Sequence, residues 1–519
     1  MKFDVSNIDY DDQQAWSLIC EGKTKGVFQL ESNLGKSWAK RVKPRNIEEL
    51  AALVALIRPG CLKAIVDGKS MTQHYVDRKD GEEEVTYIHE SLKPMLNKTQ
   101  GVLVYQEQSM QIAQKLAGFN LQEADDLRKA IGKKNADLMA QVKKNFIKGA
   151  ATTKIVDKET AEEIFSWIEK SSRYSFNKSH AVSYAICGYW SAYAKAHHPL
   201  EFYCSYLQYS HGKMEPQEEV RQLIRDAKSL DIFVHPPSLR ELNEKTKIID
   251  DKIHFGLRDI KNVGDRYLNQ LRDKLPEVEK LMGKPIEEWS WYEFLTCFSA
   301  KLSKALVVAM ISVGMLGHTG EKRERMKYEF DTLRKLSPKE LEWVEQNYSN
   351  YNDLLDLLTA VAPTKKEGGA THTAKRSEAV VDLARTLKDP PHSLEDDPQT
   401  IMREEDNYLG VSITYSKIEA SDTSLADTTC KQVIDGKRGK VKLAVNVNEV
   451  KRWITKQEKE MAFLVVEDTT GELDNLAIFS EKWENYKNIL YQGNNVLLSC
   501  NSTKDKKKDG LIVNEALEI

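Results

Sequence analysis

Apolar positions in the first 235 residues recur at helical spacing between short turn-bounded stretches. Leu138, Val142 and Phe146 lie four residues apart, as expected for a helix that packs one face against a core. Asn135 is predicted to cap this helix and Gly149 to end it. Similar patterns along the rest of this region predict a mainly α-helical N-terminal part.

Beyond residue 440 the apolar pattern changes to the short runs that are typical of strands. A helical segment, SEKWENYKNIL, precedes the fourth of five strand-like segments, 441–447, 461–468, 473–479, 495–500 and 511–515. This order predicts an OB-fold barrel. The loop before the last strand carries Lys504, Lys506, Lys507 and Lys508. Such loops commonly contact single-stranded nucleic acid, and a solvated charged hairpin is an equally good interpretation.

The segment FGLRDIKNVGDRYLNQL, residues 255–271, predicts a short amphipathic helix, a tight hairpin and a second helix. Gly264 permits a turn whose amide groups can approach a DNA phosphate, and Lys261 and Asn262 lie in the same hairpin. A second turn of this kind is predicted at Ser312-Val313-Gly314. Paired units would grip a duplex backbone, whereas an ordinary corner between two helices is the alternative.

Composition and charge narrow the class of protein. The chain has 519 residues with 76 Lys+Arg against 79 Asp+Glu, a net charge of -3, so nucleic-acid binding would depend on local basic patches. Seven widely spaced cysteines without a CxxC pair argue against structural zinc and favour a reducing compartment. The sequence has no signal-like or membrane-spanning run. We expect a cytoplasmic protein without membrane association.

A first cationic cluster is a candidate for binding a polyphosphate. Arg128 and Lys129 are predicted to lie in the last turn of a helix closed by Gly132, and Lys133 and Lys134 follow just beyond. Four cations at one helix end can bind a nucleotide. Lysine and arginine also favour helix C-termini simply because they offset the helix dipole.

A second cluster precedes a long aromatic-rich helix that is predicted over residues 181–196. Asn177, Lys178 and His180 form a polar loop at its start, where donors can hold an anion or the edge of a base. The aromatic residues at helical spacing within the helix are expected to pack in the core.

Nine ordered segments resemble the C-terminal half of bacterial C-family replicative DNA polymerases, the DNA polymerase III alpha subunits. These segments are GVFQLES (26–32), ALVALIRPG (52–60), HESLKPML (89–96), VLVYQEQSMQIAQKLAGF (102–119), DDLRKAIGKK (125–134), FNKSHAVSYA (176–185), AKAHHPLEFY (194–203), LRDIKNVG (257–264) and EEDNYLGVSIT (404–414). They cover most of the chain in family order, which makes the resemblance specific.

The resemblance implies a multidomain α+β protein with a mainly α-helical fingers domain, a helix-hairpin-helix domain and a C-terminal OB-fold β-barrel. The expected boundaries are 1–235 for the fingers, 236–362 for tandem helix-hairpin-helix units on duplex DNA, 363–402 for a linker and 403–519 for the OB-fold. The linker boundaries match a stretch rich in Gly, Thr, Lys, Asp and Pro with one short helical segment.

The resemblance also implies roles for the two clusters. Arg128 and Lys129 would contact the triphosphate of the incoming dNTP, while Asn177, Lys178 and His180 would border the nascent base pair. Two positions depart from the family pattern, which has a second arginine where this chain has Lys129 and a second proline where it has Cys61. Lysine keeps the charge but lacks the planar fork of arginine, so we expect a weaker grip on phosphate.

Nucleotidyl transfer in this family uses two divalent cations held by clustered aspartates of the palm. The sequence has no PDxDxDF-like cluster, and its acidic N-terminal turn, Asp9 to Asp12, resembles the approach to the fingers. We therefore predict no catalytic and no metal-binding residues in this chain. Mg²⁺ is expected only in complex with a palm-bearing partner, and the chain alone is predicted to be inactive.

The favoured hypothesis is a split DNA-directed DNA polymerase for DNA replication, whose PHP domain and palm belong to a separately encoded subunit. The expected partners are that subunit, primer–template DNA and dNTP, in a bacterial cytosol or a phage-infected host cell. A sliding clamp is a further candidate, although no glutamine-led clamp-binding peptide is evident in residues 363–400. The alternatives are a non-catalytic DNA-binding accessory or competitor derived from a polymerase, and a fragment with no independent role.

Overall fold

The computed structural model describes residues 4–133, 136–171, 175–455, 457–502 and 510–519, with the backbone alone at 131–133, 136, 211 and 475. The chain divides into two compact units, one up to Tyr206 and one from Leu207 to Ile519. Helices dominate the first unit, and the second unit combines helices with a C-terminal β-barrel. The predicted multidomain α+β class is confirmed.

The first unit consists of helices and one two-stranded hairpin, β1 Ile65–Val66 with β2 Lys69–Ser70. Its helices are α1 Gln13–Cys20, α2 Asn33–Val42, α3 Ile47–Leu56, α4 Pro59–Lys63, α5 Met71–Lys79, α6 Lys93–Leu96, α7 Gln106–Ala117, α8 Leu121–Lys133, α9 Ala136–Thr153, α10 Lys158–Ser171, α11 Lys178–His197 and α12 Pro199–Tyr209, the last of which runs into the second unit.

Two hydrophobic cores organise this unit. One surrounds α3 and α11, where Leu53 and Tyr189 are fully buried. The other joins α7 to α10 around Phe146 and Phe165. Gly149 does not end its helix as predicted, since α9 continues to Thr153. Glycine at this position allows close packing instead, because a Cβ there would collide with the carbonyl group of Ala117. The predicted cap Asn135 lies outside the described residues.

The second unit begins with helices and a three-stranded sheet in the order β3-β5-β4. The strands are β3 Val234–His235, β4 Lys247–Ile249 and β5 Lys252–His254, and the helices before the barrel are α13 Pro216–Lys228, α14 Asp265–Met282, α15 Trp291–Glu293, α16 Lys304–Ser312, α17 Arg323–Leu333, α18 Pro338–Asn347, α19 Leu354–Val361, α20 Ala374–Lys388, α21 Pro398–Leu409 and α22 Cys430–Ile434.

The predicted helix before the hairpin at 261–264 is a single 3-10 turn, Leu257–Asp259. A longer helix is excluded because the preceding residues belong to the small sheet: Phe255 N donates to the His235 carbonyl oxygen at 2.9 Å. A Cβ at Gly256 would also collide with the backbone of Glu244. The helix after the hairpin, α14, forms as predicted.

Residues 363–402, predicted to be a linker, contain the fifteen-residue helix α20. Its first turn is held to α18 by Arg376, whose Nη2 lies 2.6 Å from Oε2 of the buried Glu340 side chain. Burial alone raises the pKa of Glu340, but hydrogen bonds from Arg376 and the Ser337 cap bring it below its ordinary value. Thr371 is also fully buried. The segment thus packs on its neighbours, and the domain boundaries drawn from the sequence stay predictions.

The C-terminal strands close into a barrel in the order β10-β8-β7-β6-β9, with β9 pairing back to β10. They are β6 Lys440–Ile454, β7 Glu460–Asp468, β8 Gly471–Ile478, β9 Asn495–Ser502 and β10 Leu511–Glu518, and α23 Ser480–Tyr486 follows β8. Only the β10–β8 pairing among these is parallel. Alternate residues such as Leu443 and Val445 fill the interior, because side chains alternate across a strand. The predicted OB-like barrel is confirmed.

Candidate functional site

Arg128 and Lys129 lie in the second half of α8 and share one carboxylate. Gly132 does not close this helix as predicted, since α8 continues to Lys133, and the two cations therefore precede its last turn. The Arg128 Nη2 is 2.8 Å from Asp125 Oδ1, and the Lys129 Nζ is 2.9 Å from Asp125 Oδ2. These contacts follow from helical spacing, since residues three and four apart are neighbours on a helix surface. About 40% of each cationic side chain remains exposed, 39% for Arg128 and 40% for Lys129.

The electrostatic balance of this group is close to neutral without a ligand. Hydrogen bonds from Lys129 and Arg128 hold the pKa of Asp125 below its ordinary value, and the bond to Asp125 raises the pKa of Lys129. Asp126 Oδ1 lies 3.4 Å from Lys129 Nζ as well. Two cations therefore face two carboxylates, and a phosphate that binds here competes with Asp125 and Asp126 for the same donors.

Asn177 caps the N-terminus of α11, because its Oδ1 accepts a hydrogen bond from His180 N at 2.9 Å. Its Nδ2 donates to Glu107 Oε1 at 2.8 Å. Both polar atoms of this side chain are thus engaged within the protein, and the predicted contact of Asn177 with a base pair stays a prediction.

Glu107, in the first turn of α7, is a site residue that the sequence argument missed. Its Oε2 accepts from Lys178 N at 2.9 Å while its Oε1 accepts from Asn177. The backbone of Phe176 is also hydrogen-bonded on both sides, to Val104 O and Gln106 N, at 2.9 Å each. Glu107 therefore fixes the start of α11 against the start of α7. The only sequence signal was an acidic residue at a helix N-terminus.

A pocket of about 250 Å³ lies beside this junction within the first unit. Its lining includes Glu48, Lys98, Tyr105, Glu107 and Lys178. The Lys178 ammonium lies 5.8 Å from the centre of the Tyr105 ring, within the range of a cation–π contact.

The two predicted clusters belong to different cores of the first unit. Arg128 and Lys129 lie on a helix of the α7–α10 core, whereas residues 177–180 begin α11, which packs against α3. Among the described residues no hydrogen bond or ion pair joins one cluster to the other. Helix α7 connects them, since it packs against α8 and carries Glu107. The side chain of Lys133 and the whole of Lys134 lie outside the described part of the chain.

The hairpin at 261–264 has buried apolar residues on one side and exposed residues on the other. Leu257, Ile260 and Val263 are buried, while Lys261, Asn262 and Gly264 are exposed. The Lys261 N–H donates to the Tyr408 carbonyl oxygen at 2.7 Å, which ties the hairpin to α21.

The residue with left-handed backbone in this hairpin is Asn262, with φ of 68°. Gly264 has φ of -104° and is the N-cap of α14. The first-turn residue Asp265 pairs with Arg258, with Nη2 2.7 Å from Oδ1. A phosphate approaching the helix start would therefore meet Lys261 together with a carboxylate that is already paired.

The other predicted nucleic-acid contacts cannot be placed. Lys504, Lys506, Lys507 and Lys508 lie outside the described residues. Within the described ranges, no group of three or more His, Cys, Asp or Glu side chains could hold a metal ion. None of the helices described there is long and apolar enough to cross a membrane.

Comparison with known proteins shows where this arrangement belongs. Residues 1–154 match the family model of the bacterial DNA polymerase III alpha subunit finger domain. The chain is 30% identical to the DNA polymerase III subunit alpha of Bacillus subtilis over 499 residues, 95% of this chain and 40% of the relative. The Thermus aquaticus subunit is 30% identical over 499 residues, 93% and 37% respectively. Over nearly its whole length, the chain is therefore similar to the C-terminal region of the alpha subunits of C-family DNA polymerases.

The matches differ in how much of the chain they cover. The alpha subunit of Aquifex aeolicus is 38% identical over 322 residues, 61% of this chain and 26% of the relative. The chain therefore spans well under half the length of the curated relatives it matches. The finger model includes Arg128 and Lys129 and ends just after α9, whereas residues 177–180 lie beyond the matched range.

Proposed function

We propose that this chain contributes the fingers, duplex-binding and OB-fold parts of a C-family DNA-directed DNA polymerase in DNA replication, and that it binds the incoming dNTP and primer–template DNA. The observation that carries the proposal is the pair Arg128 and Lys129, part-exposed on α8 within the region that matches the finger model. Its relatives are DNA polymerase III alpha subunits, which supports a role in nucleotidyl transfer.

In this proposal the two cations neutralise the triphosphate of the dNTP, and Asp125 holds them in place until it arrives. Glu107 and Asn177 position the start of α11, so that Lys178 and His180 face the nascent base pair. A second polypeptide supplies the palm, and its carboxylates would hold the Mg²⁺ that supplies activation of the primer hydroxyl and charge stabilisation of the leaving pyrophosphate. The complex acts in the cytoplasm of a bacterium or a phage-infected host, where a sliding clamp is a further candidate partner.

Primer extension tests the proposal. The full chain is mixed with primer–template, dNTP, Mg²⁺ and a candidate palm-bearing subunit from the same source. We expect extension only when both polypeptides are present, and Arg128→Ala should lower the extension rate at least ~100-fold, since positioned charge at a transferring phosphoryl group commonly contributes that much. The affinity of the chain for the primer–template should stay within about twofold.

Arg45→Ala is the matched control, because Arg45 is an exposed arginine of the same unit outside the proposed site. Extension by this chain alone would contradict the split arrangement. If Arg128→Ala and Arg45→Ala extend primers equally, the triphosphate role of Arg128 is wrong. Tight DNA binding that never responds to dNTP would favour the alternative, a DNA-binding accessory derived from a polymerase.

A further inference from the structure

A row of rings lies along the outer side of the α11 N-terminus in the first unit. We call Arg58, Phe176, His180, Tyr184 and Phe28 the aromatic row. The Arg58 guanidinium carbon lies 4.3 Å from the centre of the Phe176 ring. Ring centres are 5.3 Å apart for Phe176 and His180, 4.0 Å for His180 and Tyr184, and 5.0 Å for Tyr184 and Phe28. Each member contacts the next, so the row is continuous.

Three separate segments of the chain build this row. His180 and Tyr184 are one helical turn apart and therefore lie on the same face of α11. Phe28 comes from the loop before α2, and this loop can approach α11 because position 188 is glycine: a Cβ there would stand 3.0 Å from the Phe28 carbonyl oxygen. Arg58 is the N-cap of α4, and its side chain is not used for capping.

The row lies at the edge of a core: Phe176 and Tyr184 are half-buried, and Phe176 packs against the core around α3 and α11. The adjoining face of α11 is buried through Ala181, Ala185 and Tyr189. Arg58 and His180 are exposed, and 40% of the large Phe28 side chain is accessible to solvent. The sequence argument assigned most aromatic residues of this helix to packing, which holds for the buried Tyr189. Tyr184 is half-buried, and its ring contacts His180 and Phe28. Exposed contiguous rings with polar neighbours mark binding surfaces.

The charge on the row favours nucleic acid. Arg58 forms no ion pair with a carboxylate among the described residues, in contrast to Arg128, which is paired with Asp125. A guanidinium stacked on a ring keeps its N–H groups free in its own plane, where they can meet a phosphate. Lys178 adds a second cation at the same end of α11. Aromatic rings interleaved with cations are the usual way in which proteins hold unpaired bases.

The length of the aromatic row fits several bases of a strand better than a single nucleotide. Four successive spacings of 4.0 to 5.3 Å separate its five members, whereas stacked bases repeat about every 3.4 Å along one strand. One base would therefore cover only a fraction of the row. We propose that the aromatic row binds unpaired bases of the template strand beside the predicted nucleotide site. This inference rests on the proposed function, which makes primer–template the nucleic acid.

Equilibrium binding of the full chain to three DNAs tests this proposal without dNTP or a palm subunit. The probes are a primer–template with a single-stranded template overhang, the same DNA with an abasic overhang, and the blunt duplex. We expect the wild-type chain to prefer the normal overhang to the abasic one. The double variant Phe28→Ala/Tyr184→Ala should weaken binding to the normal overhang about tenfold or more, because stacking contributes ~1–3 kcal/mol per base, and should abolish the preference.

Two controls separate stacking from folding. The variant Phe28→Trp/Tyr184→Phe keeps the rings and should keep the preference, and Tyr209→Ala removes a ring that is 75% exposed elsewhere and should have no effect. Affinity for the blunt duplex should stay within about twofold in every variant.

Three outcomes would refute the proposal that the aromatic row binds template bases. The wild-type chain has no preference for the normal over the abasic overhang, the double variant keeps that preference, or the double variant loses as much affinity for the blunt duplex as for the overhang. The result is independent of the triphosphate test. If Arg128→Ala has no effect on extension and the double variant still abolishes the base preference, the proposal for the aromatic row is supported and the dNTP role of Arg128 is wrong. If the proposal for the aromatic row is refuted but Arg128→Ala blocks extension, the proposed function is still supported.

Discussion

Two turns of the second unit share a sequence pattern and differ in their surroundings. The turn at 261–264 presents Lys261, Asn262 and Gly264 to solvent above buried anchors. The turn at 312–314 is enclosed, because Ser312 and Val313 are buried and Arg323 lies over Gly314. The pattern predicted the same phosphate contact for both.

Arg323 is the reason that the second turn is closed. Its Nη1 donates to Ser312 O at 2.9 Å and to Glu405 Oε1 at 2.8 Å, and Nη2 donates to Thr414 Oγ1 at 2.9 Å. The Glu405 side chain is completely buried. The comparison teaches that a turn motif determines local backbone geometry, whereas a residue that is distant in sequence decides whether the turn can meet a ligand. Of these two turns, we propose a DNA contact for the 261–264 hairpin alone.

The largest expected effect is on stability. Arg323→Ala should lower the free energy of unfolding by about 3 kcal/mol or more, since it leaves the buried carboxylate of Glu405 without its cation. Chemical denaturation of the full chain measures this loss. Arg385→Ala is the control, because the Arg385–Asp382 pair has side chains that are 73% and 65% exposed and such pairs contribute little. Equal losses in the two variants would show that the 312–314 turn does not depend on Arg323.

A smaller loss of stability should distinguish the glycines of the two turns, Gly314 and Gly264. Gly314 has φ of 78° and no room for a Cβ beside Arg323, whereas Gly264 has φ of -104° and open space. Gly314→Ala should cost about 2 kcal/mol from left-handed strain and displacement of Arg323. Gly264→Ala should change the free energy of unfolding by less than about 0.5 kcal/mol. Thermal or urea unfolding checks both, and the reversed order would refute the assignment of the open and closed turns.

The smallest effect concerns DNA. Lys261→Glu should weaken duplex binding by about fivefold to tenfold at moderate salt and reduce the slope of log affinity against log salt by about one, because one phosphate contact is lost. Fluorescence anisotropy over a salt series measures both. Lys280→Glu changes an exposed lysine at the opposite end of α14 and should leave the slope unaltered. If both variants have the same slope as the wild type, the hairpin does not contact the duplex backbone.

Much of the fold was predictable because it depends on local periodicity. The five barrel strands fall where short strand-like apolar runs predicted them, although β6 extends further, to Ile454, and β10 to Glu518. The predictions that differ from the structure involve contacts between distant residues. Gly149 was expected to end a helix, and its role is to let α9 approach Ala117. The helical stretch expected within residues 363–402 is α20, and its contact with α18 through Arg376 and Glu340 is visible only in the structure. The linker boundaries stay a prediction.

The candidate site shows the same division. Charge patterns alone selected Arg128, Lys129 and residues 177–180 as candidates, because like-charged residues and helix caps are visible in the sequence. The loop predicted at 177–180 is in fact the cap and first turn of α11, which begins at Lys178. Sequence alone could not reveal Glu107, which lies 70 residues from Asn177 and fixes it with a 2.8 Å hydrogen bond. It also could not show that Asp125 already pairs with both cations, since several carboxylates nearby have similar spacing.

The sequence by itself determined which segments become helices and strands and which residues carry charge or rings, since these follow from neighbours a few positions apart. Tertiary structure alone decided which of these groups reach solvent. Packing brings Phe28 and Arg58 to the outer side of α11, and it closes Arg323 over one of two similar turns. The reason is that burial and convergence depend on contacts between distant parts of the chain, which local periodicity does not encode.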